Sequence, residues 1–347
     1  MPLKTAENKA QEPVILAIES SCDETAAAVI SGGRQVLSSE VYSQIALHVP
    51  FGGVVPEIAS RSHIEKIDLV VQTAMRTAGL DYSQLDAVAV TQGPGLVGAL
   101  LVGVNYAKGL AYGLGKPLLA VNHIAGHIAA NYLAYPDLRP PFLCLVVSGG
   151  HSHLVEVREE GLSLLGCTQD DAAGEAFDKA ARVLGLPYPG GPNLDRLAQS
   201  GNPEAYKLTQ PKISGAYDFS FSGLKTAFIN LVHGMEQRGE PYSKADLAAV
   251  FRHTVVTHLC DKTIKACQDK GWRALALAGG VSANSLLRAR MAELCKKEGI
   301  TLYVPPLSLT GDNAAMIGAA AALQLRRGDT AGMDTNAVPA LSLRFMD

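Results

Sequence analysis

Short apolar runs alternate with polar turns at the start of the chain and again near its middle. "VILAIESSCDETAAAVISGGRQVLSSEVY" predicts three strands joined by a polar turn and a glycine turn, and "PFLCLVVSGGHSHLVEVREEGLSLLGCT" repeats that order. Two copies of a three-stranded meander favour a duplicated α/β architecture. Spacing alone leaves open the alternative that two unrelated hairpins share a common pattern.

Helical periodicity follows each meander. In the first half, "SHIEKIDLVVQTAMRTAGL" and "LVGALLVGVNYAKGLAYGLG" predict helices, and "LDAVAVTQ" and "KPLLAV" predict strands. The second half continues this alternation through "AFDKAARVLGL", "LKTAFINLVHGM", "ALALAGG", "ANSLLRARMAELCKKEG" and "ITLYVPP". Strands alternating with helices are typical of a sheet covered by helices.

Two interruptions of the periodicity organise the chain. The segment from Pro187 to Gly223 reads as one long loop, which we expect to line or cover a site because structureless loops of that length are uncommon. The break at "YPDLRPP" separates an N-terminal lobe (14–135) from a C-terminal lobe (136–347). Residues 1–13 form a polar tail.

Composition narrows the class of protein. The 347 residues are 48% hydrophobic, enough for two cores, and a net charge of -3 gives no global basic footprint. Contact with a nucleic acid therefore needs a local patch or a partner. Six cysteines without a C-x-x-C pair argue against a zinc ribbon or a disulfide framework. The apolar runs are too short for a signal peptide or a membrane span, which predicts a cytoplasmic protein without membrane contact.

Three glycine turns in the second half follow or join predicted elements. They are "VSGGH", "PGGP" and "AGGVSAN", and their backbone N–H groups could hold a phosphate. Each could equally be a simple tight turn. Neither G-x-x-x-x-G-K-[ST] nor G-x-G-x-x-G after a strand occurs, so the usual P-loop and dinucleotide-binding signatures are missing.

A histidine pair is the clearest candidate for a metal. In "VNHIAGHIAANYLA", His123 and His127 are four residues apart on a predicted helix and share one face. They could also be ordinary helical histidines. The metalloprotease pattern H-E-x-x-H fails because Ile124 stands where the general-base Glu belongs.

The best third ligand is Asp312 in "LTGDNAAMIG", although an N-cap for a helix starting at Asn313 is its alternative role. Two imidazoles and one carboxylate with open positions suit Fe(II), with Zn(II) as the alternative.

Ordered motifs from about Val14 to the C-terminus carry a family resemblance. They are "ESSCDETAAAV", "GGVVPEIASRSH", "TQGPGLVGALLVG", "KGLAYGLGKPLLAVNHIAGHI", "LVVSGGHSHL", "DDAAGEAFDKAARVLGLPYPGGP", "DFSFSGLKTA", "LAGGVSAN" and "TGDNAAMIG". The chain resembles the Kae1/TsaD/YgjD family, once misnamed O-sialoglycoprotein endopeptidases. Its length and "ESSCDET" opening are similar to the bacterial branch.

The resemblance implies a duplicated actin-like ATPase fold (ASKHA, ribonuclease H-like), with two lobes around a nucleotide and metal cleft. It implies transfer of a threonylcarbamoyl group from threonylcarbamoyl-AMP to N6 of adenosine 37 in tRNAs that read codons beginning with A, giving t6A. The implied metal ligands are His123, His127 and Asp312. The implied substrate-binding residues are Val146, Val147, Ser148, Gly149, Gly150, Asp178, Gly191, Asp195 and Asn284.

The resemblance also implies partners: a TsaB-like paralogous subunit, a TsaE-like ATPase, the tRNA and a TsaC-type adenylate synthase as supplier. The helix "HIEKIDLVVQTAMRTAGL" could dock the paralogue through an apolar stripe, with core packing as the alternative. The basic runs "LRARMAELCKK" and "LRR" are typical of solvated helix faces rather than RNA sites.

Two other functions compete with the transferase. An actin-like ATPase or kinase would share the fold and phosphate turns but would not need two histidines and an aspartate. A metal-dependent peptidase would use the histidines but lacks the Glu at Ile124. His151 could contact phosphate or cap its turn, and Glu24 could order metal-bound water or nearby loops.

Overall fold

The structure is a computed structural model that describes residues 12–210 and 213–343. Most of the predicted polar tail, residues 1–11, lies outside the described residues, as do 211–212 in the predicted long loop and 344–347 at the end.

The first sheet contains the first predicted meander and two parallel strands. Its strands are β1 (Val14–Glu19), β2 (Glu24–Ser31), β3 (Gln35–Ser43), β4 (Ala87–Gly93) and β5 (Leu118–Asn122). They lie in the order β3-β2-β1-β4-β5, with β1, β2 and β3 antiparallel and β4 and β5 parallel to β1.

The second sheet repeats this topology. Its strands are β6 (Phe142–Val147), β7 (Ser152–Val157), β8 (Leu162–Cys167), β9 (Ala274–Ala278) and β10 (Thr301–Tyr303). The order β10-β9-β6-β7-β8 again places an antiparallel meander beside two parallel strands. The duplication predicted from the two meanders is therefore confirmed.

The helices are α1 (Ile45–His48), α2 (Pro56–Ala78), α3 (Val97–Leu114), α4 (His123–Ala134), α5 (Ala173–Val183), α6 (Gly190–Ala198), α7 (Ser222–Arg238), α8 (Lys244–Lys270), α9 (Ser285–Glu298) and α10 (Ala314–Arg327).

The helices and sheets stack in five layers. Helices α2 and α3 cover the outer face of the first sheet, α4 and α10 lie between the two sheets, and α5 to α9 cover the outer face of the second. Alternation along single strands produces this arrangement. In β1, Ile15 and Ala17 face the central layer, whereas Leu16 and Ile18 face α2 and α3. The carboxyl ends of β1 and β6 consequently open toward the same cleft.

The prediction of one long loop from Pro187 to Gly223 was partly wrong, because this segment contains the two-turn helix α6. The segment "GGPNLDRLA" starts with residues typical of turns, which hides its helical character. Its first turn is stabilised from outside, since the backbone N–H of Gly191 donates to the Asp178 carboxylate at 2.9 Å.

By length and composition alone, α3 is apolar enough to cross a membrane, although 33% of it is buried within the protein. Its side chains Val104, Ala107 and Ala111 belong to the outer core beneath α2. The apolar character of this helix is therefore used in packing the N-terminal lobe.

The end of the chain returns to the N-terminal lobe. Helix α10 packs on the inner face of the first sheet, and the segment after it bonds to that lobe through Ala331 N to Leu118 O at 2.8 Å and Val338 N to Gln92 O at 2.9 Å. The division of the chain into an N-terminal lobe (14–135) and a C-terminal lobe (136–347) stays a prediction. Helix α10 belongs to the second range by chain order but packs on the first sheet.

Candidate functional site

Helix α4 begins directly at the first candidate metal ligand. The side chain of Asn122 caps it, because its Oδ1 accepts from the backbone N–H groups of Ile124 at 2.8 Å and Ala125 at 3.2 Å. One helical turn separates His123 from His127, and both side chains are buried. Their rings are 4.6 Å apart between centroids and meet edge to face.

Asp312 completes a three-ligand cluster. Its Oδ1 lies 3.4 Å from Nε2 of His123 and 3.3 Å from Nε2 of His127. One ligand atom from each of the three residues lies within 4.8 Å of the others. The alternative role of Asp312 as an N-cap is wrong, because the Asn313 side chain caps α10 by accepting from Met316 N at 2.9 Å. The Asp312 carboxylate is therefore free to face the histidines.

A buried carboxylate fixes the orientation of His123. Glu19 is fully buried, and its Oε2 accepts from Nδ1 of His123 at 3.0 Å and from the Thr91 hydroxyl at 2.7 Å. Burial raises the pKa of Glu19, but the neighbouring His123 outweighs it and holds that pKa below its ordinary value. With Nδ1 held as the donor to Glu19, Nε2 of His123 is the ring nitrogen directed toward Asp312 and His127.

The donor set fits a divalent transition metal. Both ring nitrogens of His127 are buried and have no hydrogen-bond partner among the described residues, an arrangement that a metal at Nε2 would relieve. The pKa of His127 is lowered, chiefly because the ring is buried, and this favours the neutral imidazole that a metal requires. Two imidazole nitrogens and one carboxylate oxygen suit Fe(II) or Zn(II).

Two members of the cluster, His123 and Asp312, line a cleft of about 560 Å³ between the lobes, and His127 lies buried behind them. The N-terminal lobe contributes the turn from Ser21 to Glu24 and the loops around Gly52 and Gly95, and the C-terminal lobe contributes the turn from Ser148 to His151 and one face of α5. A cavity of this size accommodates a nucleotide-sized ligand.

The predicted phosphate turn opens into this cleft. Ser148, Gly149 and Gly150 line it between β6 and β7, and Ser148 N donates to His151 O at 2.8 Å, which closes the turn. A Cβ added to Gly149 or Gly150 would meet no atom within 4 Å, so space for a ligand lies next to their backbone. The side chains of Val146 and Val147 are instead fully buried in β6. Only their backbone could contribute to binding.

The other predicted substrate-binding residues divide into two groups. Asp178 lines the cleft and accepts from the backbone N–H of Gly191. The pKa of the Asp178 carboxyl is raised, chiefly because the group is buried.

Asp195, on α6, forms an ion pair with Arg252 at 2.9 Å and accepts from the Ser285 hydroxyl at 3.0 Å. Asn284 caps α9 through Leu286 N and Leu287 N. Gly191, Asp195 and Asn284 do not line the cleft, and their binding roles stay predictions.

The structure adds cleft residues that the sequence analysis did not single out. Lys179 and Arg182 line the cleft from α5 together with Asp178, and Lys179 makes a close ion pair with Glu175. The Tyr188 hydroxyl donates to Asp23 Oδ2 at 3.2 Å across the cleft. The i+1 and i+4 spacing from Asp178 was the one sequence signal for the two cations.

Glu24 and His151, whose roles stay predictions, also line the cleft. Burial and the nearby carboxylates of Asp312 and Asp23 raise the pKa of Glu24 to about 10. Burial and the neighbouring His153 lower the pKa of His151 to about 3, so its imidazole is neutral at pH 7.

Together, two sheets of the same topology and the cleft between them define an actin-like (ASKHA) fold. HypF from T. kodakarensis has a TM-score of 0.65 and 16% identity over 92% of this chain and 49% of its own. Component A of the Acidaminococcus fermentans (R)-2-hydroxyglutaryl-CoA dehydratase has a TM-score of 0.54 and 14% identity over 91% and 98%. Identity this low reports on the shared fold alone.

The chain belongs to the TsaD family. The model of that family, described as tRNA N6-adenosine threonylcarbamoyltransferase, matches residues 35–319. Proteins of the same name from Clostridium botulinum (strain Kyoto / Type A2) and Clostridioides difficile (strain 630) are 55% and 53% identical to this chain. Each alignment covers 95% of this chain, with 97% of the first relative and 98% of the second.

Proposed function

We propose that this protein transfers the threonylcarbamoyl group from threonylcarbamoyl-AMP to N6 of adenosine 37 in tRNAs that read codons beginning with A. One observation carries the proposal. In a chain of the TsaD family, the His123–His127–Asp312 cluster reaches the cleft through His123 and Asp312, and the turn from Ser148 to Gly150 lines the same cleft.

The reaction needs positioning more than a nucleophilic side chain. The adenine N6 attacks the carbamoyl carbon of the mixed anhydride, the bond from that carbon to the phosphate oxygen breaks, AMP leaves, and N6 loses a proton. Because the anhydride is already activated, holding it in place lowers much of the barrier. The backbone amides of Ser148 to Gly150 would hold the phosphate, and Asp178 would accept from a ribose hydroxyl.

Metal binding is part of the proposal. His123, His127 and Asp312 would hold Fe(II), with Zn(II) as the alternative, and a metal there supplies Lewis-acid charge stabilisation. Metal analysis of anaerobically purified protein would distinguish the two ions.

The geometry disfavours the two competing functions. A peptidase needs a general base on the open side of the metal, but Ile124 is buried and Glu19 lies behind His123 at its Nδ1. A kinase or ATPase leaves the His–His–Asp cluster without a role. The transferase uses both the cluster and the phosphate turn.

Reconstitution tests the function directly. Purified protein is combined with a TsaB-like subunit, a TsaE-like ATPase, a TsaC-type adenylate synthase, unmodified tRNA, threonine, bicarbonate and ATP. We expect t6A in the digested tRNA by mass spectrometry, and none when this protein alone is omitted. A complete mixture without t6A would refute the proposal.

Lys179→Ala is expected to raise KM for threonylcarbamoyl-AMP a few-fold to about tenfold with a smaller change in kcat, because Lys179 brings positive charge to the cleft wall at a partly exposed position. Steady-state kinetics with preformed adenylate measure it. Lys265→Ala is the matched control, since Lys265 makes the same i,i+4 pair with Asp269 on α8. Equal effects of the two variants would contradict a role for Lys179.

Helix α2 is the proposed docking surface for the TsaB-like subunit. Its buried face already packs on the first sheet, while Ile64 and Leu69 are 66% and 59% exposed. We expect Ile64→Asp to weaken association at least about tenfold in analytical ultracentrifugation, because a charge would enter an apolar contact. Leu307→Asp, a similarly exposed leucine in the C-terminal lobe, should leave association unchanged. Unaltered binding by Ile64→Asp would place the partner elsewhere.

We also propose a cytoplasmic location, which fits a substrate tRNA and six free cysteines.

A further inference from the structure

A second cavity, of about 790 Å³, lies on the side of α4 opposite the cleft. Its walls come from the outer face of α4, the end of α10, the turn between β7 and β8, and the segment from Asp329 to Leu343. None of the residues predicted from the sequence to bind metal or substrate lines it.

Arginines dominate its charge. Five line the cavity, Arg34, Arg139, Arg158, Arg326 and Arg327, against three carboxylates, Glu159, Glu160 and Asp329. Among the described residues, only Arg158 has a carboxylate within ion-pair distance, from Glu156 at 3.5 Å. Five arginines against three carboxylates leave the lining with an excess of two positive charges, in a protein whose net charge is -3.

Two of these guanidinium groups are held side by side on the same carbonyl oxygens. Pro136 O accepts from Arg34 at 2.7 Å and from Arg139 at 2.6 Å, and Leu138 O accepts from the same pair at 3.1 and 2.9 Å. Burial and then Arg139 lower the pKa of Arg34, and Arg326 acts in the same direction. Cations held this close repel one another unless an anion lies between them.

A tyrosine ring packs against one of these cations. Tyr132 is only 6% exposed, lines the cavity, and its ring lies under Arg34 with 4.9 Å between the guanidinium carbon and the ring centroid. The cavity wall therefore places an aromatic ring, and the hydroxyl it carries, beside the arginines.

We infer that this cavity, the arginine cavity, binds a small phosphorylated anion such as a nucleoside diphosphate or pyrophosphate. Planar guanidinium groups match phosphate oxygens in pairs, and the excess of two positive charges over the three carboxylates of the lining matches a phosphorylated anion. The Tyr132 hydroxyl would donate to a further oxygen. A recess of about 790 Å³ between elements of both lobes matches the size of a compact ligand.

Calorimetric titration of the full chain with pyrophosphate tests this. We expect two classes of site, one in the cleft and one in the arginine cavity. Tyr132→Phe keeps the ring and its packing on Phe142 and should weaken the second class about tenfold, without changing the melting temperature of the free protein. The double variant Arg139→Ala/Arg326→Ala should weaken it about a hundredfold.

The control is Arg238→Ala, which removes an exposed arginine from the end of α7, far from both cavities, and should change neither class. Repeating the titration with ADP and with unmodified tRNA separates the sources of phosphate. Pyrophosphate binding that none of the variants alters would overturn the inference. Binding of tRNA alone, weakened by the same variants, would overturn it in favour of a nucleic-acid surface.

Discussion

His127→Ala is expected to abolish metal binding and to lower t6A formation by more than about a hundredfold, the loss typical of removing even an outer partner of a metal site. The variant deletes one of the two proposed imidazole ligands and leaves Asp312 facing His123 alone. Metal content after anaerobic purification and nucleoside mass spectrometry of the reconstituted reaction measure the two effects.

Two controls separate chemistry from folding in that experiment. His233→Ala removes an exposed histidine from α7 and should retain both metal and activity. Asp312→Asn keeps the size of the third ligand but not its charge, and should lose metal while the protein still unfolds cooperatively. A His127→Ala protein that retains metal and forms t6A at the normal rate would show that the cluster is not the metal site.

Gly174→Ala is expected to lower t6A formation about a hundredfold, the cost of displacing a substrate by about 1 Å. Gly174 lies in the first turn of α5, directly against the phosphate turn, and its N–H donates to Ser148 O at 3.2 Å. A Cβ there would come within 2.5 Å of Ser148 O and 2.7 Å of Gly149 Cα. Because both contacts are backbone atoms, the turn itself must move.

Gly109→Ala is the matched control for this substitution. Gly109 lies within α3, where an added Cβ meets nothing within 4 Å, so alanine should stabilise the helix by up to about 1 kcal/mol and leave activity unchanged. Thermal unfolding and steady-state kinetics on both variants provide the comparison. Full activity of Gly174→Ala would mean that the turn does not position the substrate.

Local pattern was sufficient for most of the fold. The two meanders, the parallel strands and the long helices follow from periods of 2 and 3.6, and their duplication is confirmed by two sheets of the same topology. Helix α6 was missed because its start depends on a distant residue. The Asp178 carboxylate, on another helix, accepts from its first turn, and no local window contains that contact.

The candidate site, like the fold, could be predicted only in part from the sequence. The i,i+4 spacing of His123 and His127 was visible in the sequence, and the structure brings Asp312 to them from 185 positions away. The roles of Lys179, Arg182 and Tyr188 were not visible, because their direction into the cleft depends on how α5 packs against the second sheet. The orienting contact from Glu19 to His123 likewise requires β1 to lie beside α4.

The return of α10 to the first sheet has a consequence for biosynthesis. Strands β1 to β5 leave the ribosome early, but the helix that covers their inner face begins only at Ala314. The carbonyls of Leu341 and Ser342 also hold the amide of Asn122, the cap of the histidine helix. At ordinary translation speeds of about 5–20 residues per second, on the order of 10–40 s pass between the synthesis of β5 and that of α10. During this time the apolar inner face of the first sheet is not covered by α10. We therefore expect chaperones to engage the nascent chain through the first sheet, and chains that terminate before α10 to be degraded rather than to persist as a stable half.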